Sequence, residues 1–129
     1  MSKIISRPVG DSIVPDFLNL DNVTWSGNQN NLPFPVGGSG FRVTLDTATI
    51  YIRGIDAASH GTMLLIYNGA NIGGTYNIRI QNLHASGTVG NKFVNVGTSD
   101  ITILRYRNVY VRYDNTLDSG NGAWHVLSG

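Results

Sequence analysis

Ile50-Tyr-Ile-Arg-Gly-Ile55, Met63-Leu-Leu-Ile-Tyr-Asn-Gly69, Tyr76-Asn-Ile-Arg-Ile-Gln-Asn82 and Ile101-Thr-Ile-Leu-Arg-Tyr106 are short apolar or alternating segments separated by Asn- and Gly-rich stretches. Alternation with period two places successive side chains on opposite faces of a strand. Ile50 and Ile52 then share one face, with Tyr51 and Arg53 on the other. Tyr76, Ile78 and Ile80 oppose Asn77, Arg79 and Gln81 in the same way. The uninterrupted apolar run Met63 to Tyr67 predicts a strand covered on both faces.

The pattern extends outward in both directions. Phe41, Val43 and Leu45 alternate with Arg42 and Thr44. Lys92–Val96, Val109–Tyr113 and Ala123–Leu127 complete a set of about nine short strands with a turn roughly every ten residues, the signature of a sandwich or jelly roll. No solenoid unit of fixed length repeats. The predicted core is Phe41, Val43, Leu45, Ile50, Ile52, Leu65, Ile78, Ile80, Ile103, Val109, Val111, Trp124 and Val126. Composition points the same way: the 129 residues include 16 Gly, many Asn, two Lys and no Glu. Gly and Asn are poor helix formers and good turn formers.

The first forty residues differ. They hold all four prolines, Pro8, Pro15, Pro33 and Pro35. Proline cannot donate to a strand ladder. Asn28-Gln-Asn-Asn31 and Gly37-Gly-Ser-Gly40 read as turns or linkers. The segment 1–40 therefore reads as an extended N-terminal arm, with one short strand near Val23–Ser26, ahead of a knob spanning 41–129. Ile4, Ile5, Phe17 and Leu18 are its expected anchors, against neighbouring subunits or an attachment surface. The alternative is that the arm forms the first strands of the sandwich, with Trp25 in the core.

Charge and motifs narrow the chemistry. Nine basic residues nearly balance eight acidic ones, whereas nucleic-acid binders usually concentrate a basic face. Arg105, Arg107 and Arg112 come nearest to such a face, and ordinary surface arginines explain them, so no nucleic-acid partner is expected. The absence of cysteine removes disulfides, thiolate zinc sites and thiol catalysis. The eight carboxylates are all Asp, mostly at turns, where Asp bonds its own backbone. The paired carboxylates of a glycosidase are not evident. His60, His84 and His125 form no metal motif, although a histidine near a threefold axis would occur three times. Neither a nucleophile elbow nor a phosphate loop is present. No cofactor, metal or catalytic residue is expected, and there is no signal peptide or membrane-inserting segment.

Aromatic residues offer more. In Tyr110-Val-Arg112-Tyr-Asp114, Tyr110, Arg112 and Asp114 share one strand face, while Val109, Val111 and Tyr113 take the core face. An aromatic ring beside Arg and Asp can hold a sugar. It can equally pair across strands or subunits. Trp124 shares its face with Val126 and reads as core.

The segments Ile52-Arg-Gly-Ile55, Leu64-Leu-Ile-Tyr-Asn68, Ile78-Arg-Ile-Gln-Asn82, Ile101-Thr-Ile-Leu-Arg-Tyr106 and Trp124-His-Val126 resemble the C-terminal β-knob of tailed-bacteriophage tail fibres and related small virion surface proteins. The resemblance covers roughly the last eighty residues. It departs from the family pattern at the extra strand Val109–Tyr113 and the long loop Asn115–Gly122. It implies a trimeric, non-enzymatic virion protein, made in the host cytoplasm, that touches other virion proteins and a host receptor or surface glycan. No shaft precedes the knob, which favours the alternative of a capsid decoration (cement) protein if the chain is complete. A glycan-processing enzyme is the third reading, requiring two carboxylates facing each other in a cleft.

Overall fold

The computed structural model describes residues 19–127. The chain is all-β, as its period-two segments require. Its strands are β1 (Leu20–Trp25), β2 (Gly40–Leu45), β3 (Ile50–Ile52), β4 (Met63–Asn71), β5 (Ile78–Ile80), β6 (Phe93–Asn95), β7 (Ile101–Ile103), β8 (Asn108–Asp114) and β9 (Ala123–Val126). The helical content of the described residues is one 3₁₀ turn at Val96–Thr98.

Two sheets share one core. The larger has the order β1-β2-β4-β8-β9-β6, the smaller β3-β5-β7. Phe41, Val43, Leu45, Val111 and Trp124 of the larger sheet join Ile50, Ile52, Ile78, Ile80 and Ile103 of the smaller in a single buried cluster. All thirteen predicted core residues are buried. Leu64, Leu65 and Ile66 are buried in succession, yet only Leu64 and Ile66 belong to the cluster. Leu65 is thus covered on the outer face, as the unbroken apolar run requires.

The pairing departs from a jelly roll, whose neighbours run antiparallel in Greek keys. Four of the seven ladders, β1/β2, β2/β4, β3/β5 and β6/β9, are parallel. Parallel neighbours need crossover connections, and here the crossovers pass between the two sheets. The chain passes from β1 to bridges at Gln29 and Leu32, opposite Ile52 and Ile55, then back to β2. From β2 it crosses to β3, returns as β4, and crosses again to β5. Successive coils stack with unequal lengths. Leu20 lies opposite Gly40, Gly40 opposite Leu65, and Ile50 opposite Ile78. Beyond β5 the antiparallel ladders β4/β8, β8/β9 and β5/β7, with the parallel ladder β6/β9, complete the sheets.

Of the segment read as an arm, residues 19–40 carry β1, whose register with β2 runs from Leu20↔Gly40 to Trp25↔Leu45. Trp25 and Leu32 are buried in the common core, with Trp25 packed against Phe41 at 5.6 Å between ring centroids. The anchors Ile4, Ile5, Phe17 and Leu18 lie outside the described residues.

Asparagine side chains tie one coil to the next. Asn28 Oδ1 accepts the Tyr51 N–H (2.9 Å), Asn31 Oδ1 the Thr88 N–H (2.8 Å), Asn82 Oδ1 the Asn95 N–H (2.8 Å) and Asn91 Oδ1 the Ala57 N–H (3.0 Å). Asn68 is fully buried in β4, and its Nδ2 donates to Tyr76 O and Ile103 O at 3.0 Å, joining the two sheets. Asn95 donates in the same manner to Ile80 O (2.8 Å) and Ser99 O (3.0 Å). These contacts use both N–H groups of each amide, while Asn95 Oδ1 is buried without a hydrogen-bond partner.

Candidate functional site

The strand β8 presents Tyr110, Arg112 and Asp114 on the face opposite Val109, Val111 and Tyr113, as the alternation predicts. Tyr110 is exposed and Arg112 half-buried. Asp114 is engaged with its own turn: Oδ1 accepts the Thr116 N–H (2.8 Å) and hydroxyl (2.6 Å). The Thr116 hydroxyl, then the Thr116 N–H, holds the Asp114 carboxyl below the usual carboxylate range. Arg112 Nη2 stands 3.8 Å from Asp114 Oδ2. His60 Nδ1 is 3.8 Å from Asp114 Oδ1 and accepts the Asn115 N–H (3.1 Å). The three residues share a face and a neighbourhood, with the carboxylate already occupied.

A concave site lies elsewhere on the outer face of the larger sheet. It is an open groove of about 310 Å³ lined by Asn22, Arg42, Thr44, Tyr67, Gly69, Ala70, Asn71, Arg105 and Tyr106. Strand register builds it. Asn22, Arg42 and Tyr67 stand side by side on β1, β2 and β4. Thr44 and Ala70 form the next rung beyond a register shift between Val43 and Thr44. Gly69 is the extra residue of that shift, a β-bulge. A Cβ at Gly69 would come within 3.2 Å of the Tyr67 ring and of Val43 O, so a larger residue on this floor would have to push a neighbour aside by a few tenths of an ångström.

One wall comes from the turn after β7. Tyr106 adopts φ 65°, a left-handed conformation that costs a side-chain-bearing residue roughly 1–2 kcal/mol. Its N–H donates to Asn68 O at 2.7 Å, and the Arg107 N–H donates to Leu104 O at 3.0 Å. These bonds fasten the turn to β4 and set Arg105 and Tyr106 at the groove edge. The expected strand Ile101–Tyr106 therefore ends at Ile103, and its last residues become this wall.

Two guanidinium groups are seated on aromatic rings. Arg42 Cζ is 5.8 Å from the Tyr67 centroid, and Arg105 Cζ is 4.6 Å from that of Tyr106. Arg105 Nη2 also donates to Tyr106 Oη at 2.8 Å. None of the lining residues is acidic. Asn71 is committed to the fold, accepting the Tyr76 N–H and donating to Asn68 Oδ1 and Ala70 O.

Several other titratable groups serve turns. Asp21 accepts the Val36 and Gly37 N–H groups (2.7 and 2.9 Å). Asp46 accepts the Thr47 hydroxyl and is held below its ordinary value, first by a hydrogen bond from Ser26. His84 Nδ1 accepts the Ser86 N–H, and His125 lies on the outer face of β9. Among the described residues no cluster of three or more His, Asp, Glu or Cys could hold a metal ion, and no helix is long and apolar enough to cross a membrane.

Comparison of the chain with protein-family models, with curated proteins and with solved structures finds no match. The groove residues were present in the sequence as separate alternations on three strands and a turn. Only the parallel register brings Asn22 beside Arg42 and Arg42 beside Tyr67.

Proposed function

We propose that the chain is a non-enzymatic structural protein of a tailed-phage virion, a trimeric surface knob of the fibre-tip type that contacts a host receptor or glycan. The observation that carries the binding reading is the outer groove. It combines two tyrosines, two arginines, and the Asn22 and Thr44 side chains around a small-residue floor. Saccharide sites need such a mixture, with aromatic carbon surface beside polar groups that bond hydroxyls. The virion setting rests on the resemblance of the Ile52–Ile55, Leu64–Asn68, Ile78–Asn82, Ile101–Tyr106 and Trp124–Val126 segments to fibre-tip knobs. A binder rather than a hydrolase is supported by the use of Asp21, Asp46 and Asp114 as turn acceptors.

A second reading, capsid decoration, is favoured by Val36. This residue is 96% exposed on a turn fixed by Asp21, an apolar prong suited to a protein neighbour. Gold-labelled antibody against the chain, applied to virions that carry it, tests both. Label at fibre tips supports the first reading, label spread over the capsid supports the second, and unlabelled particles remove the virion assignment. Light scattering should return three times the 13.9 kDa chain mass. A monomer mass at micromolar concentration would remove the trimer.

A further inference from the structure

We infer that the groove selects a saccharide bearing a carboxylate, with Arg42 and Arg105 as the paired carboxylate donors. This rests on the reading of the groove as a saccharide site and adds the class of sugar.

The first argument is charge. The chain as a whole is nearly neutral, at +1, with eight Asp available to balance its basic residues. Yet this concavity holds two guanidinium groups and no acid. Ion pairs among the described residues join Arg79 to Asp100 and Arg112 to Asp114, and none involves Arg42 or Arg105. Two like charges facing one groove repel each other, and an anion between them reverses the sign of that interaction.

The second argument is how the guanidinium groups are held. Each lies over a tyrosine ring, at 5.8 and 4.6 Å. A guanidinium held against a ring can still bind a carboxylate through two parallel hydrogen bonds. Arg105 spends one N–H on Tyr106 Oη, while its Nε is buried without a hydrogen-bond partner.

The third argument separates a sugar acid from a bare anion or a nucleic acid. Asn22 and Thr44 stand on the same face as Arg42, one on the neighbouring strand and one two residues along its own, and are placed to meet hydroxyls. Grooves for single-stranded nucleic acid instead follow a long phosphate backbone with a basic track and successive stacking platforms. A volume of about 310 Å³ suits a short saccharide unit.

The test is an array of defined saccharides, sorted into carboxylate-bearing (uronic and sialic acids), phosphate- or sulfate-bearing, and neutral, with single-stranded DNA alongside. It is followed by calorimetry on the strongest binder and on its methyl ester. Carboxylate-bearing saccharides should be retained, and esterification should weaken binding at least tenfold. Arg42→Gln and Arg105→Gln should each do the same, with unchanged tryptophan fluorescence. Because Arg105 also supports its turn, Arg42→Gln carries the test if Arg105→Gln fails to fold. The Nε–H resonances of both arginines should shift on adding the acid. Equal affinity for acid and ester, or retention of neutral sugars that Tyr106→Ala still abolishes, overturns the acid selectivity and leaves the saccharide groove standing. Preference for phosphate, sulfate or DNA overturns the carboxylate assignment. Retention of no saccharide at all removes both.

Discussion

Replacing Trp124 should remove a large part of the stability of this protein, and the structure separates the contributions. The ring is fully buried in β9. Its Nε1 donates to Ile55 O at 2.9 Å, across from the larger sheet to the bridge beside the smaller one. Tyr113 meets the ring edge-on at 5.1 Å. Truncating a buried Trp to Ala costs about 3–5 kcal/mol through lost transfer energy and the cavity left behind. Stranding a buried carbonyl costs about 1–3 kcal/mol, and the aromatic pair is worth about 0.5–1.5 kcal/mol. These overlap, so Trp124→Ala should lose roughly 5 kcal/mol, comparable to the whole stability of a marginal domain. Trp124→Phe keeps most of the bulk and loses the donor, and should cost about 1–3 kcal/mol. Urea unfolding followed by the fluorescence of buried Trp25 reads both. With a slope of roughly 1–3 kcal/mol per molar urea, the Ala variant should shift the midpoint by about 2 M or more, or fail to fold. An Ala midpoint within about 0.5 M of the parent would refute the buried placement. A Phe variant as stable as the parent would refute the importance of the Ile55 bond.

Gly40→Ala should destabilise by more than about 1 kcal/mol, because φ is 140° and a Cβ would collide with the Leu65 backbone on the paired strand. Gly27→Ala is the control, with nothing near its Cβ position, and equal thermal melting of the two variants would refute the close approach of β2 and β4. Asn68→Ala should cost about 2–4 kcal/mol in urea unfolding, since Tyr76 O and Ile103 O both lose a donor, and a loss under about 0.5 kcal/mol would show that the amide does not join the sheets. Asp114 should titrate below the usual carboxylate range in a carboxyl NMR titration, and Thr116→Val should bring the midpoint upward. The depressed folded value means that this contribution to stability is complete above the unfolded value and disappears as pH falls through the folded one. An unchanged midpoint in Thr116→Val would remove the hydroxyl as the main cause.

Period two was enough to say which side chains face inward. Phe41, Val43 and Leu45 on one strand, and Ile78 and Ile80 on another, are buried where the alternation put them. It carries no information about which strand lies next to which. A strand with Ile50 and Ile52 inward looks the same whether its neighbour is parallel β5 or an antiparallel hairpin partner. The coils differ in length, so no sequence period marks them. Trp25 and Leu32 were harder to place because prolines and Asn-rich turns surround them, and their burial comes from long-range pairing with β2 and Ile55. The groove shows the same limit. The face of Tyr110, Arg112 and Asp114 could be read because one strand carries all three. Asn22, Arg42, Tyr67 and Arg105 come from four segments, and only register makes them neighbours.

The asparagines that link the coils have a consequence for the media this protein can tolerate. Neutral amides make the cross-coil bonds at Tyr51, Ala57, Thr88 and Asn95, and inside the core at Tyr76, Ile80 and Ile103. The charged pairs among the described residues sit at 3.8 Å and near the surface. Dissolved ions weaken contacts between exposed charges and leave amide–carbonyl bonds almost untouched. Cohesion of the coils should therefore be nearly indifferent to ionic strength. Unfolding midpoints in dilute buffer and in molar sodium chloride should almost coincide, and a large drop in salt would show that charge holds the coils together after all. A fold held in this way should keep its shape in fresh water and brine alike, while a ligand gripped by arginine would come and go with the salt.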